Sequence, residues 1–153
     1  NPNDKPNNLM PFILKVASME EEYLEVFGND YETKDGTGVR DYIHVSDLSD
    51  AHVSSLNYLL SSDEKSGFCH ALNIGTGRGY SVLEIIEAFE KINNKNIPYK
   101  VVDRRPGDIS QSFTDTELSQ RMLKWSAKKD LNDMCKDSWK WKQSEMKRKK
   151  YES

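Results

Sequence analysis

The sequence has few of the features that mark membrane, disulfide-rich or nucleic-acid-binding proteins. Its 153 residues include only two cysteines, Cys69 and Cys135, whose distant positions favour free thiols over a disulfide framework. No apolar run approaches the ~20 residues that a membrane helix needs, and the first residues form no signal peptide. The net charge is -3, with 25 acidic against 22 basic residues, which argues against bulk binding of nucleic acid. These absences predict a soluble cytoplasmic protein.

The spacing of apolar residues predicts an α/β protein in which short strands alternate with helices. Asn8 is expected to cap a first helix at Leu9, and Ser81 with Glu84 forms the capping box of the clearest helix. Strands are predicted over 23–27, 42–45, 70–74 and 97–102. Further helices are predicted from residue 46, over 116–123 and over 131–146. One side of the last helix is predicted to carry Met134, Cys135, Ser138 and Trp141.

The glycine-rich segment Gly75-Thr-Gly-Arg-Gly79 lies between a predicted strand and a predicted helix, where backbone amides often bind phosphate. The last glycine of a dinucleotide fingerprint would fall at position 80, which Tyr80 occupies, and no lysine follows as a P-loop requires. We therefore interpret the segment as a tight strand-to-helix turn, with direct phosphate contact as the less favoured alternative.

Arg40 and Arg105 are the candidates for binding an anion. Each lies where a strand meets a glycine-containing turn, and a planar guanidinium suits bidentate contact with a diphosphate. The alternative is two surface ion pairs, from Arg40 to Asp41 and from Arg105 to Asp108. The residue pattern by itself favours the ion pairs.

The histidines and cysteines offer no pattern of a metal or catalytic site. His44, His52 and His70 are spread over a strand, a helix and a strand without ligand spacing, so no metal is predicted. Cys69 and His70 would point to opposite faces of a strand, which excludes a nucleophile pair. The basic segment 147–150 is predicted to be a solvated, frayed tail rather than a polyanion site.

Four motifs together carry a family resemblance. They are Asn-Asn-Leu-Met-Pro at 7–11, Phe-Gly-Asn-Asp-Tyr at 27–31, the pattern Arg-Asp-x-x-His-Val-x-Asp at 40–47, and Asn-Ile-Gly-Thr-Gly at 73–77. With them the chain resembles, nearly end to end, the C-terminal, nucleotide-sugar-binding half of the UDP-glucose/UDP-galactose 4-epimerases, in the extended short-chain dehydrogenase family. The resemblance implies a role in galactose metabolism: interconversion of UDP-galactose and UDP-glucose by transient oxidation at C4 with bound NAD.

The resemblance also implies substrate-binding roles for nine residues, which are Asn8, Leu9, Phe27, Arg40, Tyr42, Val82, Arg105, Asp108 and Ser112. Phe27 matches a residue beside the uracil. Arg40 and Arg105 match the two clamps on the diphosphate, and Asp108 matches the carboxylate that accepts hydrogen bonds from the ribose.

The other matched positions lie nearer the sugar. Asn8 and Leu9 match residues near the diphosphate and the hexose, and Tyr42 and Val82 match the pocket wall. Ser112 departs from the family pattern, because bacterial members often carry a bulky Tyr there. The smaller side chain leaves room beside the hexose, so we expect the parent enzyme to accept UDP-N-acetylhexosamines as well.

Two features of that family are lacking. No glycine-rich loop opens the chain, and no Tyr is followed four positions later by Lys. In the family the first holds NAD and the second abstracts the sugar proton. We therefore predict no catalytic and no cofactor-binding residue in this chain, which would be inactive alone. NAD would be bound by an N-terminal half that is absent, and the opening residues are expected to be an internal loop cut open. A homodimer is implied as well.

The resemblance divides the chain into four segments: a nucleotide-sugar-binding segment over 1–40, a strand-helix-strand segment over 41–77 that would complete a Rossmann sheet, a second nucleotide-sugar-binding segment over 78–146, and a basic tail over 147–153. Without that sheet, the chain should expose an apolar patch. The alternatives are a fragment of a related nucleotide-sugar dehydratase or decarboxylase, and a stand-alone UDP-sugar-binding module. Nucleic-acid binding through the basic tail is the least favoured.

Overall fold

The computed structural model describes residues 8–61 and 67–152. Within these ranges the chain is an α/β protein, as predicted, whose elements are α1 (Leu9–Ala17), β1 (Leu24–Phe27), β2 (Val39–Asp41), α2 (Val45–Ser61), β3 (Gly79–Ser81), α3 (Val82–Asn93), β4 (Tyr99–Val102), β5 (Gln111–Ser112), α4 (Glu117–Leu123) and α5 (Leu131–Glu152). The predicted opening loop, the middle of the loop after α2 and the end of the tail lie outside the described residues. None of the described helices combines the length and apolarity needed to cross a membrane.

The strands form two small sheets. In the first, β1 and β4 run parallel, with Phe27 opposite Val102. In the second, β2 lies between β3 and β5, antiparallel to β3 and parallel to β5. Both parallel pairs join segments that are far apart in the sequence, because a parallel pair needs a long crossover connection. Each sheet therefore places an early segment of the chain beside a late one.

The main core lies where α1, α3, α5 and β1 pack together. The capping box that starts α3 is confirmed: Glu84 N donates to Ser81 Oγ at 3.1 Å, and Ser81 N donates to the Glu84 carboxylate at 2.9 Å. Ile85, Ile86 and Phe89, which follow at helical spacing, are buried, and the Phe89 ring meets Trp139 of α5 edge-on at 6.2 Å between centroids. The 3.6-residue periodicity thus fixes which face of α3 enters the core.

A smaller core forms where α2 meets α4, around Ala51, Leu123 and Trp125. The buried carboxylate of Asp47 accepts hydrogen bonds from Lys128 N at 2.9 Å and Lys129 N at 2.8 Å, which ties the loop before α5 to the start of α2.

Several other apolar side chains of α2 are exposed to solvent. Val53 is 56% exposed, Leu56 58% and Leu60 84%. The sequence predicts such an apolar surface on this segment, and its contact with a dinucleotide-binding sheet stays a prediction.

Two predicted strands are not strands. Residues 42–44 belong to no strand, and the strand in this region is β2, which ends at Asp41. Residues 67–74 also form no strand, and Ala71 and Asn73 are exposed. A strand needs a hydrogen-bonded neighbour, and within the described ranges none lies beside either segment. That these segments complete a Rossmann sheet therefore stays a prediction.

The last helix is longer than predicted: α5 continues through the basic segment to Glu152. Ion pairs support this extension: Lys142 Nζ lies 2.7 Å from the Glu20 carboxylate and 3.0 Å from that of Glu145, and Lys149 Nζ lies 3.2 Å from Glu145. Burial lowers the pKa of Lys142, but its hydrogen bonds to both carboxylates outweigh burial and raise the pKa above its usual value. The prediction of a frayed tail is wrong.

The buried face of α5 is also displaced from the predicted one. Met134 and Cys135 are buried as expected, whereas Trp141 is 59% exposed and the neighbouring Trp139 and Lys142 take the inner positions. The lysine is inside because its two carboxylate partners compensate its charge, a pairing that apolar periodicity cannot reveal.

Candidate functional site

The turn after β4 carries two of the predicted binding residues. Asp108 N donates to the carbonyl oxygen of Arg105 at 3.2 Å, and Gly107 has a φ of +83°. Proline in the second place of a turn and glycine in the third favour a chain reversal of this kind, because proline presets φ and glycine tolerates a positive φ. The sequence Arg-Pro-Gly-Asp therefore places Arg105 and Asp108 at the two ends of one turn.

Strand β2 brings Arg40 to the same turn. Arg40 lies opposite Ser112 in the parallel pair of β2 and β5, and Val39 N donates to the carbonyl oxygen of Ser110 at 2.8 Å. Arg40 Nη2 then lies 3.5 Å from Asp108 Oδ1. The two side chains are 32% and 40% exposed, so this long ion pair holds them only weakly. A ligand can therefore replace it at little cost.

Phe27 closes the row of residues on the other side of Arg105. It is the last residue of β1 and pairs with Val102, three positions before Arg105. The guanidinium carbon of Arg105 lies 3.8 Å from the centroid of the Phe27 ring, a cation–π contact. Among the described residues no carboxylate forms an ion pair with Arg105, so its charge remains available to an anion. We call Phe27, Arg105, Asp108, Arg40 and Ser112 the binding row.

The alternative ion pairs, Arg40 with Asp41 and Arg105 with Asp108, are not formed among the described residues. Asp41 instead receives hydrogen bonds from Thr76 N at 3.0 Å, from Gly77 N at 3.0 Å and from Thr114 N at 3.3 Å, in addition to the Thr76 hydroxyl. Phosphate-binding loops offer backbone amides to an anion in the same way. Here an internal carboxylate takes the place of the phosphate, which supports a structural turn over a phosphate site.

Gly75 explains why this turn needs glycine at its start. A Cβ at this position would lie 2.5 Å from Asp41 Oδ2 and 2.5 Å from Thr114 Oγ1. Any larger residue would push the carboxylate off the amides, so the glycine serves close packing rather than access for a ligand.

The remaining predicted residues lie against the main core. Leu9, Tyr42 and Val82 are half-buried there. Burial raises the pKa of Tyr42 and the positive charge of Arg40 partly offsets the shift, which puts Tyr42 within electrostatic reach of the binding row. Asn8 occupies the N-cap position of α1, as predicted, but its side chain makes no capping hydrogen bond.

An open cleft of about 330 Å³ adjoins Arg40. Its lining includes Arg40, Asn73, Ser112 and Phe113. Ser112 thus lies at the rim of free space, as the sequence argument about a smaller side chain requires, and Phe113 is 56% exposed beside it.

Sequence reasoning missed Arg104. Its Nε donates to Asp30 Oδ1 at 2.7 Å, its Nη2 donates to the Asp30 carbonyl oxygen at 2.6 Å, and its guanidinium carbon lies 4.2 Å from the centroid of the Tyr31 ring. The hydrogen bond from Arg104 lowers the pKa of Asp30 below its usual value. The available signal was the Arg-Arg pair after a strand, because neighbouring side chains on an extended backbone point in opposite directions.

Sequence reasoning also missed two structural polar contacts. Asp35 receives hydrogen bonds from Thr37 N at 2.9 Å and from the Ser81 hydroxyl, which ties the loop before β2 to the start of α3. The buried imidazole of His44 accepts from Ser46 N at 3.1 Å through Nδ1, and its Nε2 lies 3.2 Å from the Asp137 carboxylate.

Across the described part of the chain, no three His, Cys, Asp or Glu side chains are grouped to hold a metal ion.

Comparison with known proteins places these observations in a family. The family model described as GDP-mannose 4,6 dehydratase matches residues 2–138. The UDP-glucose 4-epimerase of Bacillus subtilis is 54% identical over 143 residues, which are 94% of this chain and 41% of that protein. The chain thus spans about two-fifths of the length of the curated relatives it matches, and the part it matches is their C-terminal part.

Solved structures agree with the sequence comparison. UDP-glucose-4-epimerase from Stenotrophomonas maltophila, with bound NAD and formylated UDP-arabinopyranose, is 48% identical with a TM-score of 0.88, over 96% of this chain and 43% of that one. UDP-glucose 4-epimerase from Bifidobacterium longum, in complex with NAD+ and UDP, is 42% identical with a TM-score of 0.86, over 93% of this chain and 41% of that one. The resemblance stated from the sequence motifs is confirmed. The chain belongs to the family described as GDP-mannose 4,6 dehydratase, and within it the chain is similar to the C-terminal part of UDP-glucose 4-epimerases.

Proposed function

We propose that this chain is the UDP-sugar-binding portion of a UDP-glucose 4-epimerase that interconverts UDP-galactose and UDP-glucose with bound NAD. The observation that carries the proposal is the binding row, in which an aromatic ring, two guanidinium groups and a carboxylate lie in sequence along two strand ends. These are the groups that a uracil ring, a diphosphate and ribose hydroxyls require.

The charges of the row match such a ligand. Two guanidinium groups complement the two negative charges of a diphosphate, and Asp108 can exchange its long contact with Arg40 for hydrogen bonds from a ribose. The contact of Phe27 with Arg105 places an aromatic face at one end for the base. The cleft beside Ser112, which Asn73 and Phe113 also line, then receives the hexose at the other end.

The division of labour follows from this arrangement. Strong contacts to the diphosphate hold the nucleotide, while the open cleft lets the sugar rotate so that either of its faces can be presented to the hydride. The glycine-rich loop over 75–79 does not fit the diphosphate of NAD, because Asp41 occupies the amides of Thr76 and Gly77. We propose that NAD is bound, and the hydride chemistry carried out, by an N-terminal half outside this chain, that the chain alone is inactive, and that the whole enzyme is a cytoplasmic homodimer.

Calorimetric titration of the chain with UDP tests the binding role. Arg40→Gln and Arg105→Gln should each weaken binding by about tenfold or more, since each removes a charge-assisted pair worth about 1.5–3 kcal/mol. Arg121→Gln on the exposed side of α4 is the matched control, with unchanged affinity expected. If all three variants bind UDP as the unmodified chain does, the binding row is not the nucleotide site.

Adding back an N-terminal half from a relative tests the enzymatic role. A coupled assay should then detect conversion of UDP-galactose to UDP-glucose with NAD present and none with the chain alone. The rival is a nucleotide-sugar dehydratase, as in the family description, or a decarboxylase, and either would release a different product. UDP binding without any gain of activity would indicate a stand-alone UDP-sugar-binding module instead.

A further inference from the structure

We propose that Arg104 is a positioning residue of the binding row: it ties two loops together and thereby holds Arg105 against Phe27. The inference rests on the proposed function for the identity of the ligand, while the geometry that carries it is independent of any ligand.

The two loops, one after β1 and one after β4, leave the first sheet side by side. The last backbone bond that joins them is from Gly28 N to the carbonyl oxygen of Val102, at 2.9 Å. Beyond it, across residues 29–36 and 103–108, no backbone hydrogen bond joins the two loops in the described chain. Arg105 lies on one loop and Phe27 at the base of the other, so their contact depends on side chains that cross between the loops.

Arg104 supplies that crossing with three contacts to one loop. It donates twice to Asp30, to the carboxylate at 2.7 Å and to the backbone carbonyl at 2.6 Å, and its guanidinium lies over the Tyr31 ring. Gly28 lies directly beneath it, with a φ of +77°, and a Cβ there would be 2.8 Å from both Arg104 Cγ and Tyr31 Cε2. Arg104, from the loop after β4, is therefore packed against the loop after β1 along the length of its side chain, and not only through its guanidinium group.

The same contacts separate the tasks of the two adjacent arginines. The guanidinium of Arg104 is committed to Asp30 and Tyr31, so it has little capacity left for an anion. Arg104 and Arg105 are consecutive residues, so fixing the side chain and backbone of Arg104 against one loop restricts the direction in which the Arg105 side chain leaves the chain. Pre-ordering a binding group in this way reduces the entropy that a ligand must offset.

The first test measures the row itself, without ligand. Protons on the Arg105 side chain lie against the Phe27 ring and should show an upfield ring-current shift in the NMR spectrum of the chain. Arg104→Gln and Asp30→Asn should each reduce that shift by at least half. The double variant should reduce it no further, because both changes break one interaction. Tyr31→Phe is the control, since the buried Tyr31 hydroxyl has no hydrogen-bond partner among the described atoms.

The second test measures UDP affinity at several salt concentrations. Arg104→Gln should weaken binding about fivefold without changing the salt dependence, because the number of charges that contact phosphate stays the same. Arg105→Gln should weaken binding and reduce the salt dependence. If Arg104→Gln fails to fold, Asp30→Asn and Arg104→Lys, which keeps the charge but not both hydrogen bonds, carry the same measurements.

The outcomes separate this inference from the proposed function. An Arg105 shift that survives in both Arg104→Gln and Asp30→Asn overturns the positioning role, whether or not UDP binds. A salt dependence that falls in Arg104→Gln as it does in Arg105→Gln also overturns it, because Arg104 would then be a phosphate ligand. If the unmodified chain binds no UDP but the shift collapses as expected, the proposed function fails and the positioning role stands.

Discussion

The carboxylate of Asp41 offers the sharpest test of how this chain builds its site. It occupies the amides of the 75–79 loop and lies next in sequence to Arg40. Asp41→Asn keeps the shape of the side chain but replaces one acceptor oxygen with a donor. In the native chain Oδ2 faces the amides of Gly77 and Thr114, at 3.0 and 3.3 Å, and an NH₂ group there would oppose both of these donors.

The cost follows from the bonds that are lost. A hydrogen bond to a charged acceptor contributes about 1.5–3 kcal/mol, and Asn can keep the bonds on the Oδ1 side while it loses those on the other. With the lower value for this half-exposed site, the free energy of unfolding should fall by about 3 kcal/mol. Urea denaturation followed by circular dichroism measures the loss, with Asp50→Asn on the exposed side of α2 as the matched control.

A chemical rescue makes the test specific. Asp41→Ala leaves the same amides facing an empty space, so formate at saturating concentration should restore part of the lost stability by mass action. The unmodified chain and Asp50→Asn should not respond to formate. A loss below about 0.5 kcal/mol in Asp41→Asn, the range of ordinary surface substitutions, would refute the view that Asp41 organises this loop.

Three further predictions concern the sugar cleft, the ion pairs of α5 and the cysteines. In the enzyme with its N-terminal half supplied, Ser112→Tyr should abolish turnover of UDP-N-acetylglucosamine and retain that of UDP-glucose; equal loss of both would contradict a size filter. The hydrogen bond from Lys142 lowers the pKa of Glu20 below 4.5, so its stabilisation is complete above that pH and is lost as the pH falls through the lowered pKa. Denaturation curves of Lys142→Met should therefore be less sensitive to acid below pH 4.5 than those of the unmodified chain, and parallel curves would show that the pair is inert. Burial raises the pKa of Cys135 to about 12, so at pH 8 a disulfide reagent should modify only the exposed Cys69 in the folded chain. Rapid reaction of both cysteines would mean that the core opens readily.

Local signals predict those parts of the fold that local chemistry decides. The capping box at Ser81 and the periodicity after it determine α3, and both are read directly from the sequence. The Arg-Pro-Gly-Asp turn likewise specifies its own geometry, and so brings Arg105 and Asp108 together.

Features that depend on distant partners could not be predicted in the same way. Apolar residues over 70–74 suit a strand, but a strand exists only where another strand pairs with it. Lys142 enters the core because Glu20, from the far end of the chain, meets it there. Arg40 pairs with Asp108 rather than with its neighbour Asp41 for the same reason, since the pairing depends on the register of β2 against β5. The resemblance suggested the members of the binding row, but not the contacts that hold them.

The two parallel strand pairs have a consequence for the order of events during protein synthesis. Phe27 and Arg40 leave the ribosome long before β4 and β5 are translated, and loop closure of this length is entropically costly and slow. A nascent chain that stops before residue 99 therefore has the aromatic ring and one guanidinium but no partner for either. Under the proposed function, nucleotide binding would thus be a late step of biogenesis, and the ligand would act as a folding template only once the final third of the chain has emerged.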